Sequence, residues 1–152
     1  MKKLLLTIAA LGCVLSCQNN TIDKREGIAY KETIDINDVP KATVTFYGYG
    51  DSRCPEGANC VWAGYATVDL LLTGVTTEGR VSEHVKMCLG DCRFFQKDST
   101  KTRSSYNMAD TLDKSFAGQQ YRFILTSLYP GPTLDTTRQK EVRRIMLKVE
   151  KK

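Results

Sequence analysis

The sequence predicts an all-β domain built as a two-sheet antiparallel sandwich, immunoglobulin-like in the loose architectural sense. From about residue 30 onward, apolar and polar residues alternate with a period of two, the pattern of strands that bury one face. The alternating runs are short and are broken by Gly, Pro, Asn and Asp, and about seven one-faced strands need a second sheet to cover them. The immunoglobulin spacing of Cys, Trp and Cys is absent, because Trp62 stands two positions after Cys60. Only the layered arrangement is therefore expected.

Each element follows from its pattern. Ala42, Val44 and Phe46 alternate with Thr43, Thr45 and Tyr47, and Ala66, Val68, Leu70 and Leu72 alternate with Tyr65, Thr67 and Asp69. A loop with Gly74 and Gly79 leads to Val81, Glu83, Val85 and Met87, set against Ser82, His84 and Lys86, which suits an antiparallel partner for the preceding strand. Met108, Leu112 and Phe116 recur at helical spacing, but Asp110, Thr111 and Asp113 are poor helix formers, so 107–117 is read as strand then loop. Tyr121, Phe123 and Leu125 form one late strand and Ile145, Leu147 and Val149 another, with Pro130-Gly131-Pro132 breaking the ladder between them.

With 152 residues the chain has room for one domain, and 41% hydrophobic with 26% charged residues excludes a disordered or collagen-like polymer. The N-terminus reads as an export signal: Lys2 and Lys3 precede an apolar run ending at Leu15, too short to span a bilayer. Val14-Leu15-Ser16-Cys17 looks like a bacterial lipobox, in which the Cys is acylated and becomes the mature N-terminus. Cys13 is a rival site, and an ordinary cleaved signal is the plainer alternative. The expected organisation is a signal peptide at 1–16, a lipid-anchored tether at 17–28 and a single sandwich domain at 29–152. Because no Asp follows Cys17, the outer membrane is the expected location, with the leaflet left open. Several acyl chains on Cys17 would hold the domain at a membrane without a spanning helix.

Four further cysteines, Cys54, Cys60, Cys88 and Cys92, belong to a chain that matures in an oxidising compartment, so they are read as disulfides. Three pairings are open. Local pairs would be worth about 2 kcal/mol each, and a crossed Cys54 to Cys92 bridge about 4 kcal/mol. His84, Cys88 and Cys92 stand at four-residue intervals, the spacing of zinc ligands on a helix. Strand alternation up to Met87 and the break at Gly90 argue against that, and no metal or cofactor is expected.

The stretch Asp51-Ser52-Arg53-Cys54-Pro55-Glu56-Gly57-Ala58-Asn59-Cys60-Val61-Trp62-Ala63-Gly64, followed by an alternating strand, resembles a recurring element of small secreted or lipid-anchored bacterial β-sandwich proteins, a family itself functionally uncharacterised. The strand into Pro130-Gly131-Pro132 is similar to that family's C-terminal half, more weakly. The resemblance implies a β-sandwich, an extracytoplasmic life and a Cys54–Cys60 bridge, but no activity. Cys88 and Cys92 lie outside the element and are expected to form the second local pair. Pro55 fixes one φ angle and Gly57 permits a turn, so the bridged loop should be stiff. Trp62 is expected to cover the bridge from the core. The loop is then either a structural staple or a recognition surface presenting Arg53, Glu56 and Asn59.

The sequence contains no nucleophile elbow, phosphate loop, H-E-x-x-H or EF-hand pattern, and any Ser-His-acid triad would have to use His84, the one histidine. Tyr47, Tyr49, Tyr121 and Tyr129 are expected in the core rather than on a binding face. The basic C-terminal residues Arg138, Lys140, Arg143, Arg144, Lys148, Lys151 and Lys152 read as a solvated face, or more sharply as a contact for anionic lipid or envelope glycans. Nucleic acid is not an expected partner. The functional expectation is a non-catalytic envelope lipoprotein binding a protein or glycan. The alternative is a hydrolase or enzyme inhibitor with its site near His84 or the Cys54 loop.

Overall fold

The computed structural model describes residues 21–23, 27–94 and 106–152. The predicted signal peptide and Cys17 lie outside the described residues. Nine strands are present among them: β1 (Thr21–Asp23), β2 (Ile28–Ala29), β3 (Thr33–Asn37), β4 (Ala42–Asp51), β5 (Tyr65–Thr76), β6 (Gly79–Gly90), β7 (Asp110–Phe116), β8 (Gln119–Tyr129) and β9 (Arg144–Lys151).

They form two antiparallel sheets, as predicted. One is the meander β3-β4-β5-β6; the other runs β9-β8-β7, with β1 and β2 both paired to the outer edge of β9. Period-two burial makes the sandwich. Val44 and Phe46 of β4, Val68, Leu70 and Leu72 of β5, and Met87 of β6 turn inward to meet Phe123 and Leu125 of β8 and Ile145 and Leu147 of β9 in one core. Two bulges interrupt the registers, in β4 between Phe46 and Gly48 and in β8 between Leu125 and Ser127. The segment with the helical spacing is a strand, since Leu112 pairs with Phe123. One-sided burial outweighs its weak helical pattern.

The folded unit begins earlier than residue 29, which corrects the reading of 17–28 as tether. Thr21 pairs with Glu150 and Asp23 with Lys148, while Ile28 is fully buried and pairs with Ile145. A single buried isoleucine in a polar stretch carries no periodicity and leaves no pattern to read. At Lys31 the backbone takes φ 67° as the chain turns from β2 in one sheet to β3 in the other. Glu32 steadies this corner by accepting a hydrogen bond from the Ala29 amide at 2.7 Å.

The two ends of the sandwich differ. One end carries the tight connections β3–β4, β5–β6 and β7–β8; the last is a two-residue turn with both Ala117 and Gly118 at positive φ, the conformation that fits the twist of a hairpin. Lys151 on β9 donates to Asn37 on β3 at 2.6 Å, tying the sheets together there. The opposite end carries the longer connections 52–64, 91–109 and 130–143. Because β1 runs antiparallel to β9, the chain enters at the hairpin end.

Candidate functional site

The long-loop end is where the cysteines lie, and both bridges are local: Cys54 with Cys60 and Cys88 with Cys92. Cys88 and Cys92 are buried, whereas Cys60 is exposed at the loop surface. The bridged loop is held at its base by backbone bonds from Ser52 N to Tyr65 O and from Cys54 N to Ala63 O, both 2.9 Å. Gly64 completes this base at φ +69°, where a Cβ would collide with the Ser52 carbonyl. Its own carbonyl accepts from the Asp91 amide at 2.9 Å, which joins the two disulfide segments. Glycine after Trp62-Ala63 is thus a requirement of close backbone approach.

Arg53 belongs to the framework rather than to an exposed surface. Its Nε and Nη2 donate to the two oxygens of Asp51 at 2.8 and 2.7 Å, and Nη2 also donates to the Leu128 carbonyl at 2.8 Å. The pair is shielded, with the Asp51 side chain 4% and the Arg53 side chain 21% exposed. The hydrogen bond to Asp51 raises the guanidinium further above its ordinary value. Arg53 therefore clamps the start of the loop to the end of β8 in the facing sheet. Glu56 is exposed and pairs with Arg138 at 2.9 Å, while its amide donates to Pro132 O at 3.0 Å. Asn59 is exposed. The three residues proposed as a recognition set therefore separate into one clamp, one rim ion pair and one free-standing surface position.

Trp62 corrects a second expectation. It is 52% exposed and Val61 beside it is fully exposed, so neither seals the core. The tryptophan precedes β5 by three residues and sits on the loop, outside the alternation that would turn it inward. Around the same end, Tyr106, Met108, Leu134 and Val142 are also large and exposed. A hollow of about 350 Å³ lies between the loops, lined by Arg53, Cys54, Glu56, Ala63, Tyr106 and Pro132. Sequence reasoning missed Val61 and Leu134, although two consecutive apolar residues between a loop cysteine and Ala-Gly were a legible sign of an apolar tip.

A second polar cluster occupies the outer face of the β3-β4-β5-β6 sheet. His84 Nδ1 lies 2.9 Å from Asp69 Oδ1, and the Tyr47 ring meets the imidazole edge-on at 4.8 Å between centroids. The Lys31 ammonium stands 4.0 Å from the Tyr47 centroid, a cation–π contact. Tyr47 follows buried Phe46 onto the outer face as the residue left unpaired by the β4 bulge, and Gly48, Gly50, Thr67, Asp69 and Lys86 line a shallow hollow of about 310 Å³ beside the pair. Among the described residues no Ser, Thr or Cys hydrogen-bonds to His84. His84 and Cys88 share a strand rather than a helical face, and Cys88 is consumed by its disulfide.

The tyrosines divide. Tyr121 is fully buried, as expected, and burial pushes its phenol up. Tyr47 and Tyr49 instead stay about two-fifths exposed. The basic C-terminal residues do not form one field: Lys148 pairs with Glu150, Lys152 with Asp113, Arg138 with Glu56, and Arg143 stands over the Tyr49 ring. Comparison of the chain with family models, curated proteins and solved structures finds no match. Function must therefore be argued from the surface itself.

Proposed function

We infer that this chain is a non-catalytic envelope lipoprotein, anchored through Cys17 at the outer membrane, that binds a protein partner with its long-loop end. The observation that carries this reading is the exposed Val61-Trp62 tip on a loop closed by a disulfide and clamped by Arg53. An exposed tryptophan beside a bare valine, with Leu134 and Met108 at the same end, is apolar surface that a solvated domain does not need. A stiff loop loses little freedom on binding, and tryptophan is a frequent interface anchor. Chain entry at the opposite end leaves these loops facing away from the attachment point. Aliphatic Val61 and Leu134 favour a protein over a glycan, which would be met by ring faces and polar groups alone.

The test is a photo-crosslinking residue placed at position 61 or 134 in cells, with position 82 on the outer sheet face as the control. A discrete crosslinked protein from the loop positions, lost with Trp62→Ala, is the expected result; crosslinking at position 82 alone would overturn the reading. The hydrolase alternative rests on the Asp69–His84 pair, which has the geometry of a base held by an orienting carboxylate. It ranks second because no nucleophile meets the imidazole among the described residues. If the captured protein proves to be an enzyme, inhibition assays decide whether the chain is its inhibitor.

A further inference from the structure

The hairpin end carries an apolar surface of its own. Val39 is 88% exposed at the tip of the β3–β4 turn and Val75 is 46% exposed near the end of β5. Between them and the β7–β8 turn lies an open hollow of about 680 Å³ lined by Pro40, Val75, Thr76, Val81, Ala117 and Gly118. The charges nearby are largely matched. Lys41 stands 3.7 Å from Asp35 and Lys152 is 2.6 Å from Asp113, while Lys151, donating to neutral Asn37, is offset by the exposed Asp38 of the β3–β4 turn, and Glu78 in the β5–β6 turn by Arg80 beside it. Apolar contact, rather than attraction to a charged surface, is what this end offers.

The path of the chain says what faces it. Thr21 is paired to Glu150 at this end, and β1 runs from there toward the loops. Cys17 precedes Thr21 by four residues, a span of at most about 14 Å even when fully extended. An acyl anchor at Cys17 would therefore hold the hairpin end close to the lipid. We propose that this end is a membrane-seating surface, with Val39 and Val75 entering the headgroup region of the bilayer, so that the sandwich stands upright and its loops project. The proposal rests on the anchor reading given above. Shallow insertion of exposed apolar side chains supplements acyl chains, which already supply the affinity, and here it fixes orientation.

The experiment uses the full-length protein reconstituted in phosphatidylethanolamine and phosphatidylglycerol vesicles doped with bromo-acyl phosphatidylcholine, a short-range quencher of tryptophan. Trp62, the one tryptophan, is an internal control: β5 alone spans roughly 40 Å at strand rise, so the loop end lies beyond the quencher's reach. Native fluorescence should be unchanged by brominated lipid. The reporters Trp62→Phe with Val39→Trp, and Trp62→Phe with Val75→Trp, should each lose emission in brominated relative to unbrominated vesicles on insertion to headgroup depth. Either reporter suffices should the other fail to keep the parent thermal midpoint. Vesicle-bound protein with both reporters unquenched overturns the seating and leaves the anchor standing. Protein that does not sediment with vesicles and shows no acyl mass on Cys17 overturns the anchor and the seating with it. A dimer in detergent that Val39→Asp dissociates, with no quenching, would assign the patch to a second copy of the chain instead.

Discussion

Replacing Arg53 by alanine should destabilise the fold by about 3 kcal/mol, the low end of the range for removing one partner of a shielded ion pair. Three hydrogen bonds are lost, two to the Asp51 carboxylate and one to the Leu128 carbonyl. Asp51 would keep only the long 3.3 Å bond from the Arg53 amide while its side chain remains almost wholly out of solvent. The partial exposure of Arg53 lets water repair some of the damage, which is why the low end is expected. For a chain of this size the loss corresponds to a fall of about 10 °C in the thermal midpoint, measured by circular dichroism or calorimetry. A double-mutant cycle with Asp51→Ala should return a coupling of about 1.5 to 3 kcal/mol. A change within about 0.5 kcal/mol, the usual range for a surface residue, would show that the clamp is ornamental and would refute the reasoning.

Trp62→Ala should cost about 1 to 2 kcal/mol while abolishing partner capture, because about half of the residue is already in water; a loss of about 3 to 5 kcal/mol would place it in the core after all. Gly64→Ala should cost more than about 2 kcal/mol, since the added Cβ meets the Ser52 carbonyl at a positive φ; chemical denaturation checks it. Under graded reduction the Cys54–Cys60 bridge, with Cys60 exposed, should open before the buried Cys88–Cys92 bridge, each loss costing about 2 kcal/mol. Peptide mapping after alkylation gives the order, and simultaneous opening would count against it. Stability should also fall in acid. Arg122 and Lys152 hold Asp113 below the ordinary carboxylate range, and Asp91, Asp135 and Glu150 are lowered by their own hydrogen-bonded neighbours. Their contribution is complete above the unfolded value of about pH 4 and disappears as pH drops through the lower folded values. Asp113→Asn should flatten the midpoint-versus-pH curve below that point, and an unchanged slope would dismiss the site.

The sandwich was legible because Val68, Leu70 and Leu72, and Ile145, Leu147 and Val149, bury one side of a strand and therefore repeat every second residue. Elements stabilised by register alone left no such mark. Neither β1 nor β2 is long enough to show alternation, so their pairing with β9 was invisible. The site was harder still. Arg53 reads as a surface cation until the Asp51 carboxylate and the Leu128 carbonyl, distant in sequence, are seen to converge on it. Asp69 and His84 come together across adjacent strands, a proximity fixed by hairpin register rather than by any local motif. Trp62 was misplaced because residue type suggested burial, while its position ahead of the strand decided exposure.

The docking of β1 and β2 along β9 also governs how the domain bears load. Were the domain held as proposed, by an N-terminal anchor and by a partner at the far loops, a pull between them would act along the strand axis, because β1 starts at the hairpin end and runs toward the loops. Inter-strand hydrogen bonds lie across that axis. The bonds joining Thr21–Asp23 and Ile28–Ala29 to β9 are then sheared together, with Ile28 drawn from the core in the same step, rather than opened one after another as in a zipper. Anchored from the opposite end, the same strands would peel.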